Sequence, residues 1–212
     1  YSMVVFGIDL VLLIPALMIS ATPVLLAAIG EAIVEKSGVL NLGVEGMMII
    51  GAVIGFIIAV NTQIPIYGFF CAAIAGALLS IIFAVLTQFM MSNQVATGLG
   101  LTMVGLGLSA LIGKPYEGIK SPTLTKFEIP FLSDIPILGP MFFSHDAIVY
   151  LSILVVAVVA LIVNKTRWGL VLRAVGENQE AAHALGYKVV RIRFIAIMFG
   201  GAMAGLGGAY IS

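Results

Sequence analysis

The stretch Ala147-Ile148-Val149-Tyr150-Leu151-Ser152-Ile153-Leu154-Val155-Val156-Ala157-Val158-Val159-Ala160-Leu161-Ile162-Val163 carries no charge, and Asn164-Lys165-Thr166-Arg167-Trp168 ends it abruptly. About 20 apolar residues wound as a helix cross the roughly 30 Å hydrocarbon core of a bilayer. Working outward, comparable runs recur near 8–29, 39–60, 66–91, 95–113 and 194–212. The chain therefore reads as all-α, a polytopic transmembrane helical bundle of about six spans forming one membrane domain.

Composition agrees. Of 212 residues 61% are apolar and 9% charged, against about 25% charged in a soluble domain, and mean hydropathy is +1.19. Zero net charge offers no basic surface for nucleic acid. The single cysteine, Cys71, excludes an internal disulfide and a cysteine metal cluster. The first run lacks a basic leader, contains Asp9 and precedes further spans, so it is a helix of the bundle and not a signal peptide. Ser212 falls inside an apolar Gly-rich run where a span does not naturally stop, so the chain is expected to be a fragment of a longer one.

Charge placement sets orientation. Lys165, Arg167, Arg173, Lys188, Arg191 and Arg193, six of the ten Lys/Arg residues, crowd the loop at 164–193, which the positive-inside rule assigns to the cytoplasm. Counting back puts 114–146 and 61–65 outside and 92–94 and 30–38 inside. The outer loop, with Pro115, Pro122, Pro130, Pro136 and Pro140, is expected to be an extended or turning crossover. Gly51 and Gly55, and the glycines at 98–107 and 201–208, are expected to let helices approach closely.

Polar residues inside apolar runs mark candidate sites. A charge at the bilayer centre costs about 2.5–3.5 kcal/mol on insertion scales, so Asn41 and Glu45 should avoid lipid, and helical i,i+4 spacing would put them on one face. Gly38, Gly43 and Gly46 permit either a broken or re-entrant helix start or a cytoplasmic helix-turn leading into an ordinary span, with Glu31, Glu35 and Lys36 solvated and Asn41 and Glu45 near the interface. A second cluster, Asn93, Gln94, Thr97 and Thr102, supplies the amide and hydroxyl inventory that suits a sugar or a nucleobase edge, or that caps and knits helices. Asn41, Glu45, Asn93, Gln94, Thr97 and Thr102 are the substrate-pathway candidates. His145 and His183 lack metal-ligand spacing and are expected to be solvated. Trp168 reads as an interfacial anchor.

Within the basic loop, Glu177-Asn178-Gln179-Glu180-Ala181-Ala182-His183-Ala184-Leu185-Gly186 places an N-cap at Asn178 and a stop at Gly186 around a short helix. A helix of two turns is marginal alone and needs a docking surface. Glu180-Ala181-Ala182 with Leu185-Gly186 resembles the Glu-Ala-Ala coupling loop of ATP-binding cassette importer permeases. Arg173-Ala174-Val175-Gly176 before it and Gly200-Gly201-Ala202-Met203-Ala204-Gly205 after it are similar to the ribose and branched-chain amino acid importer superfamily. Glu35-Lys36-Ser37-Gly38-Val39-Leu40-Asn41-Leu42-Gly43-Val44-Glu45-Gly46, with Phe131-Leu132-Ser133-Asp134-Ile135-Pro136 in the outer loop, resembles its nucleoside and simple-sugar branch, although Thr102 stands where some members carry an amide.

The resemblance implies an importer permease for nucleosides or simple sugars in the bacterial plasma membrane. Glu177, Asn178, Gln179, Glu180, Ala181, Ala182, Leu185 and Gly186 would then couple it to a cytoplasmic ATPase. It also implies a second homologous permease subunit, an extracytoplasmic substrate-binding lipoprotein, and further spans beyond Ser212. No Gly-x-x-x-x-Gly-Lys-Ser/Thr loop is present, so no cofactor is expected on this chain and ATP and Mg belong to the partner. The alternatives are a secondary transporter driven by an ion gradient, a branched-chain amino acid permease, and a membrane enzyme. The last has no nucleophile and base constellation to support it.

Overall fold

Where water is scarce every backbone N–H and C=O must be satisfied within the segment, so apolar runs of this length wind into helices. The computed structural model describes residues 4–5, 8–122, 126–128 and 144–212. Eight α-helices follow in order: α1 Leu10–Lys36, α2 Val44–Thr62, α3 Pro65–Ala84, α4 Gln94–Gly113, α5 Ala147–Lys165, α6 Arg167–Glu177, α7 Gln179–Ala184 and α8 Val189–Ile211. Among the described residues six segments are long and apolar enough to span a membrane, as the sequence predicts. A π-helical turn, Val85–Phe89, extends α3. The described residues also hold a 3-10 turn, Lys114–Tyr116, and two short antiparallel pairs, β1 Val4–Val5 with β2 Ile8–Asp9 and β3 Lys126–Glu128 with β4 Ser144–Asp146.

Three boundaries move. α1 continues through Glu31, Glu35 and Lys36, with Glu35 and Lys36 exposed and Glu31 half-buried, and the turn follows at 37–38. α2 starts only at Val44. α8 starts at Val189, which draws Arg191 and Arg193 out of the loop and into its first turns.

The two ends of the bundle separate as the charge pattern requires. Leu40, Gln94, Gly38, Gly176 and Arg193 meet at one end. Asn61 Nδ2 donates to the Tyr116 hydroxyl at 3.2 Å, and the Tyr210 hydroxyl reaches Asp146 Oδ2 at 3.4 Å, at the other. His145 departs from expectation: it is 1% exposed, enclosed beside Tyr150 at the start of α5, with the rings 6.2 Å apart. His183 is exposed as expected. The outer-loop stretch Phe131–Pro140 lies outside the described residues, while Lys126–Glu128 is extended.

α8 is the central helix, packed against α1, α2 and α3. Small residues make this possible, because apolar side chains gain nothing by leaving apolar lipid and close van der Waals approach must hold the helices. Gly205 stands where two close crossings meet. A Cβ on Gly51 would lie 2.5 Å from Gly205 Cα, and one on Gly76 would lie 3.0 Å from it. Val34, Met47, Phe83, Ile197 and Ala204 fill the core around these crossings.

Candidate functional site

Two features stand at the basic end: a buried connection between α1 and α2, and the α6–α7 unit. The connection is built by the residues the sequence singled out, though not as a helix face. Gly38 adopts φ +81°, a left-handed conformation that glycine takes without steric cost. Three residues on, Asn41 Oδ1 accepts from Gly43 N at 3.0 Å. This local Asx turn competes with helix formation and explains why α2 begins at Val44.

Asn41 and Glu45 therefore do not share one helical face. Asn41 is 2% exposed and Glu45 is exposed. Asn41 N donates to Glu31 Oε1 at 3.2 Å, and its amide Nδ2 lies 3.7 Å from Met47 Sδ. Glu31 Oε2 is buried without a hydrogen-bond partner.

The second polar cluster holds the same connection from the other side. Leu40 N donates to Gln94 Oε1 at 2.8 Å. The Thr102 hydroxyl lies 3.3 Å from Leu42 O and 3.2 Å from Gly98 O. A Cβ on Gly46 would sit 2.7 Å from Thr102 Cα. Leu42 and Gly43 lie against Gly98, four residues into α4 and about 6 Å along it. The 39–43 segment thus runs beside the first turn of α4 before α2 starts.

Of the pathway candidates, Asn41, Gln94 and Thr102 converge on this segment. Thr97 instead pairs with Ser92 (3.0 Å). Asn93 is exposed and caps α4, accepting from Val95 N at 3.0 Å and Ala96 N at 3.1 Å. Asn41→Leu is expected to destabilise the bundle by about 1–3 kcal/mol, since it strips the side-chain acceptor from the backbone N–H of Gly43 at a buried position. The melting midpoint of the purified protein measures it.

The α6–α7 unit starts where Thr166 Oγ1 caps α6, and Arg173 Nη2 donates to Val163 O at 2.6 Å, satisfying a carbonyl at the end of α5. Asn178 Oδ1 then caps α7, accepting from Ala181 N at 2.9 Å. At its far end Gly186 N donates to His183 O at 2.9 Å and Tyr187 N to Ala182 O at 3.1 Å. These paired bonds close the helix with a left-handed glycine, φ +87° at Gly186.

Ala182 is 2% exposed and packs with Val175 of α6 and Val189 of α8. Glu177, Asn178, Gln179, Glu180, Ala181, Leu185 and Gly186 are exposed. So Ala182 seats the helix on its own bundle, and the remaining coupling candidates face outward with an apolar Leu185, 76% exposed, among them. Gly186→Val is expected to loosen this turn by about 1–2 kcal/mol, the cost of a left-handed β-branched residue. Faster amide exchange over 181–187 checks it.

Sequence reading missed α6 although its signals are present. Thr166 is a capping residue, and Gly169, Leu172 and Val175 recur on one face; all three are buried. It also missed Glu31 and Arg193, whose roles depend on contacts far along the chain.

An all-α bundle whose described residues include six apolar membrane-length helices, with a capped short helix at its basic end, has the construction of a polytopic membrane protein. The chain matches over residues 13–212 the family described as branched-chain amino acid transport system / permease component, and it belongs to that family. It is thereby a multi-pass plasma-membrane protein.

Among curated relatives it is 36% identical over 212 residues to the guanosine ABC transporter permease protein NupQ of Bacillus subtilis, covering 93% of this chain and 66% of that protein. It is 30% identical over 209 residues to the nucleoside ABC transporter permease protein NupC of Lactococcus lactis, covering 93% and 66%. With the Haloferax volcanii protein TsgC13, provisionally named a glucose ABC transporter permease, identity is 39% over 197 residues, covering 91% and 60%. The chain thus spans 60–66% of these relatives' length. No solved structure matches it.

Proposed function

We propose that the chain is the membrane-spanning permease of an ATP-binding cassette importer that carries nucleosides, or simple sugars, into the cytoplasm. The observation that carries this is α7, a short helix capped at both ends, seated through Ala182 and exposed on its other side. A helix of this length does not persist alone, and its exposed Glu180 and Leu185 offer a charged and an apolar contact to a cytoplasmic ATPase. ATP-driven closure of two such ATPases would move α7 and tilt the spans. A second permease subunit would complete the path, and an extracytoplasmic binding protein would deliver the solute.

The substrate class is supported by the names of the relatives, which specify guanosine, nucleosides and glucose. Uptake of labelled guanosine, glucose and leucine by the whole transporter in proteoliposomes tests this. Guanosine or glucose should accumulate and leucine should not; accumulation of leucine alone overturns the substrate assignment.

A further inference from the structure

Between α7 and the α1–α2 connection stands the Arg193 side chain, which touches both. Arg193, in the first turns of α8, donates through Nη1 to Gln179 Oε1 of α7 at 2.7 Å and through Nε to the carbonyl of Ser37 at 3.0 Å. Ser37 begins the turn that leads through Gly38 to Asn41, and its own hydroxyl donates to Val34 O at 2.6 Å. The turn also touches the end of α6, because a Cβ on Gly38 would meet both Gly176 Cα and Arg193 Nη2 at 3.0 Å. Beyond the turn, Leu40 and Leu42 are tied to Gln94 and Thr102 of α4.

We propose that Arg193 is a positioning residue that transmits displacement of α7 to the 37–43 segment, and through it to α2 and α4. This rests on the permease function proposed above. The guanidinium suits the task because its rigid planar fork holds two acceptors at once in fixed geometry, which a lysine ammonium on a flexible stem does not. Each acceptor sits on a different element: Gln179 on the exposed helix, Ser37 on the buried turn. Neither contact is an ion pair, so salt does not break the link as it would a surface pair. Gly176 of α6 against Gly38 is a steric contact that resists only approach, whereas the Arg193 hydrogen bonds can pull as well as push.

The test uses the whole transporter in proteoliposomes and reads solute taken up per ATP hydrolysed, with ATPase association and melting midpoint measured alongside. Arg193→Met and Gln179→Leu are each expected to lower uptake per ATP about tenfold, within the usual range of coupling between sites, while the ATPase stays bound. The double variant should be no worse than either single one, because both remove one link. Arg193→Lys, which keeps the charge but not the rigid fork, should not retain the wild-type ratio. Gln179 is exposed, so its variants report on coupling even where Arg193→Met lowers stability. Wild-type uptake per ATP in Gln179→Leu, or additive losses in the double variant, overturns the proposal. Uptake by the wild-type protein without an ATPase overturns instead the permease reading beneath it.

Discussion

Gly205→Val is expected to prevent the bundle from closing. Gly205 is where α8 meets two helices at once: α2 through Gly51, and α3 through Ala72 and Gly76. A Cβ at 205 meets the carbonyl of Ala72 and comes within 3.3 Å of Gly76 Cα. Both are backbone atoms of helices, which cannot rotate away as a side chain could. Overpacking a close-packed site costs about 1–3 kcal/mol when neighbours adjust; with backbone on both sides the loss should reach at least the top of that range. Gly107→Val is the control, because no atom lies within 4 Å of a Cβ built there. In the detergent-purified protein the first substitution should lower the melting midpoint sharply or abolish the folded fraction, and the second should leave it in place. Equal effects would show that α8 is not the packing centre.

Glu180→Arg should abolish transport and spare the fold. Glu180 is exposed in the first turn of α7, where a carboxylate complements the helix N-terminus for about 0.3–1 kcal/mol. Its loss therefore costs the permease itself little. An ATPase surface that accepts this carboxylate would instead face a cation, in a region already holding Lys188, Arg191 and Arg193. A hot-spot contact is worth at least about 2 kcal/mol, so uptake should fall about thirtyfold or more with the melting midpoint unchanged. Ala182→Arg acts by another route: it forces a cation between Val175 and Val189 and unseats α7, so transport and local amide protection fall together. The two coupling candidates are neighbours in sequence, but one addresses the partner and the other addresses the bundle.

The periodicities that decide local structure were legible in the sequence; the contacts that decide roles were not. Hydropathy located all six spans, and Asn178 and Gly186 delimited α7, because apolar length and capping chemistry act within a few residues. The failure at Asn41 and Glu45 is instructive. Their spacing reads as one helical face only if the helix has already begun, and the Asx turn at Asn41, after the left-handed Gly38, delays it to Val44. Arg191 and Arg193 look like loop cations by charge count, yet their helix starts earlier because Val189 packs against Val175 and Ala182. His145 looks solvated by position but lies in a strand paired back onto Phe127. Gln94 and Thr102 invite a substrate role by inventory; in the structure Gln94 Oε1 and the Thr102 hydroxyl are engaged by the backbone of the α1–α2 connection.

The central claim is that α7 exists to be driven by a separate ATPase. The most direct measurement is uptake of labelled guanosine into proteoliposomes holding the whole transporter, with ATP and Mg supplied on the cytoplasmic side, with a non-hydrolysable analogue, and with ion gradients alone. Accumulation only under hydrolysable ATP, lost in Glu180→Arg, is the result this structure predicts. Accumulation driven by an ion gradient without ATPase, and unchanged in Glu180→Arg, would contradict it.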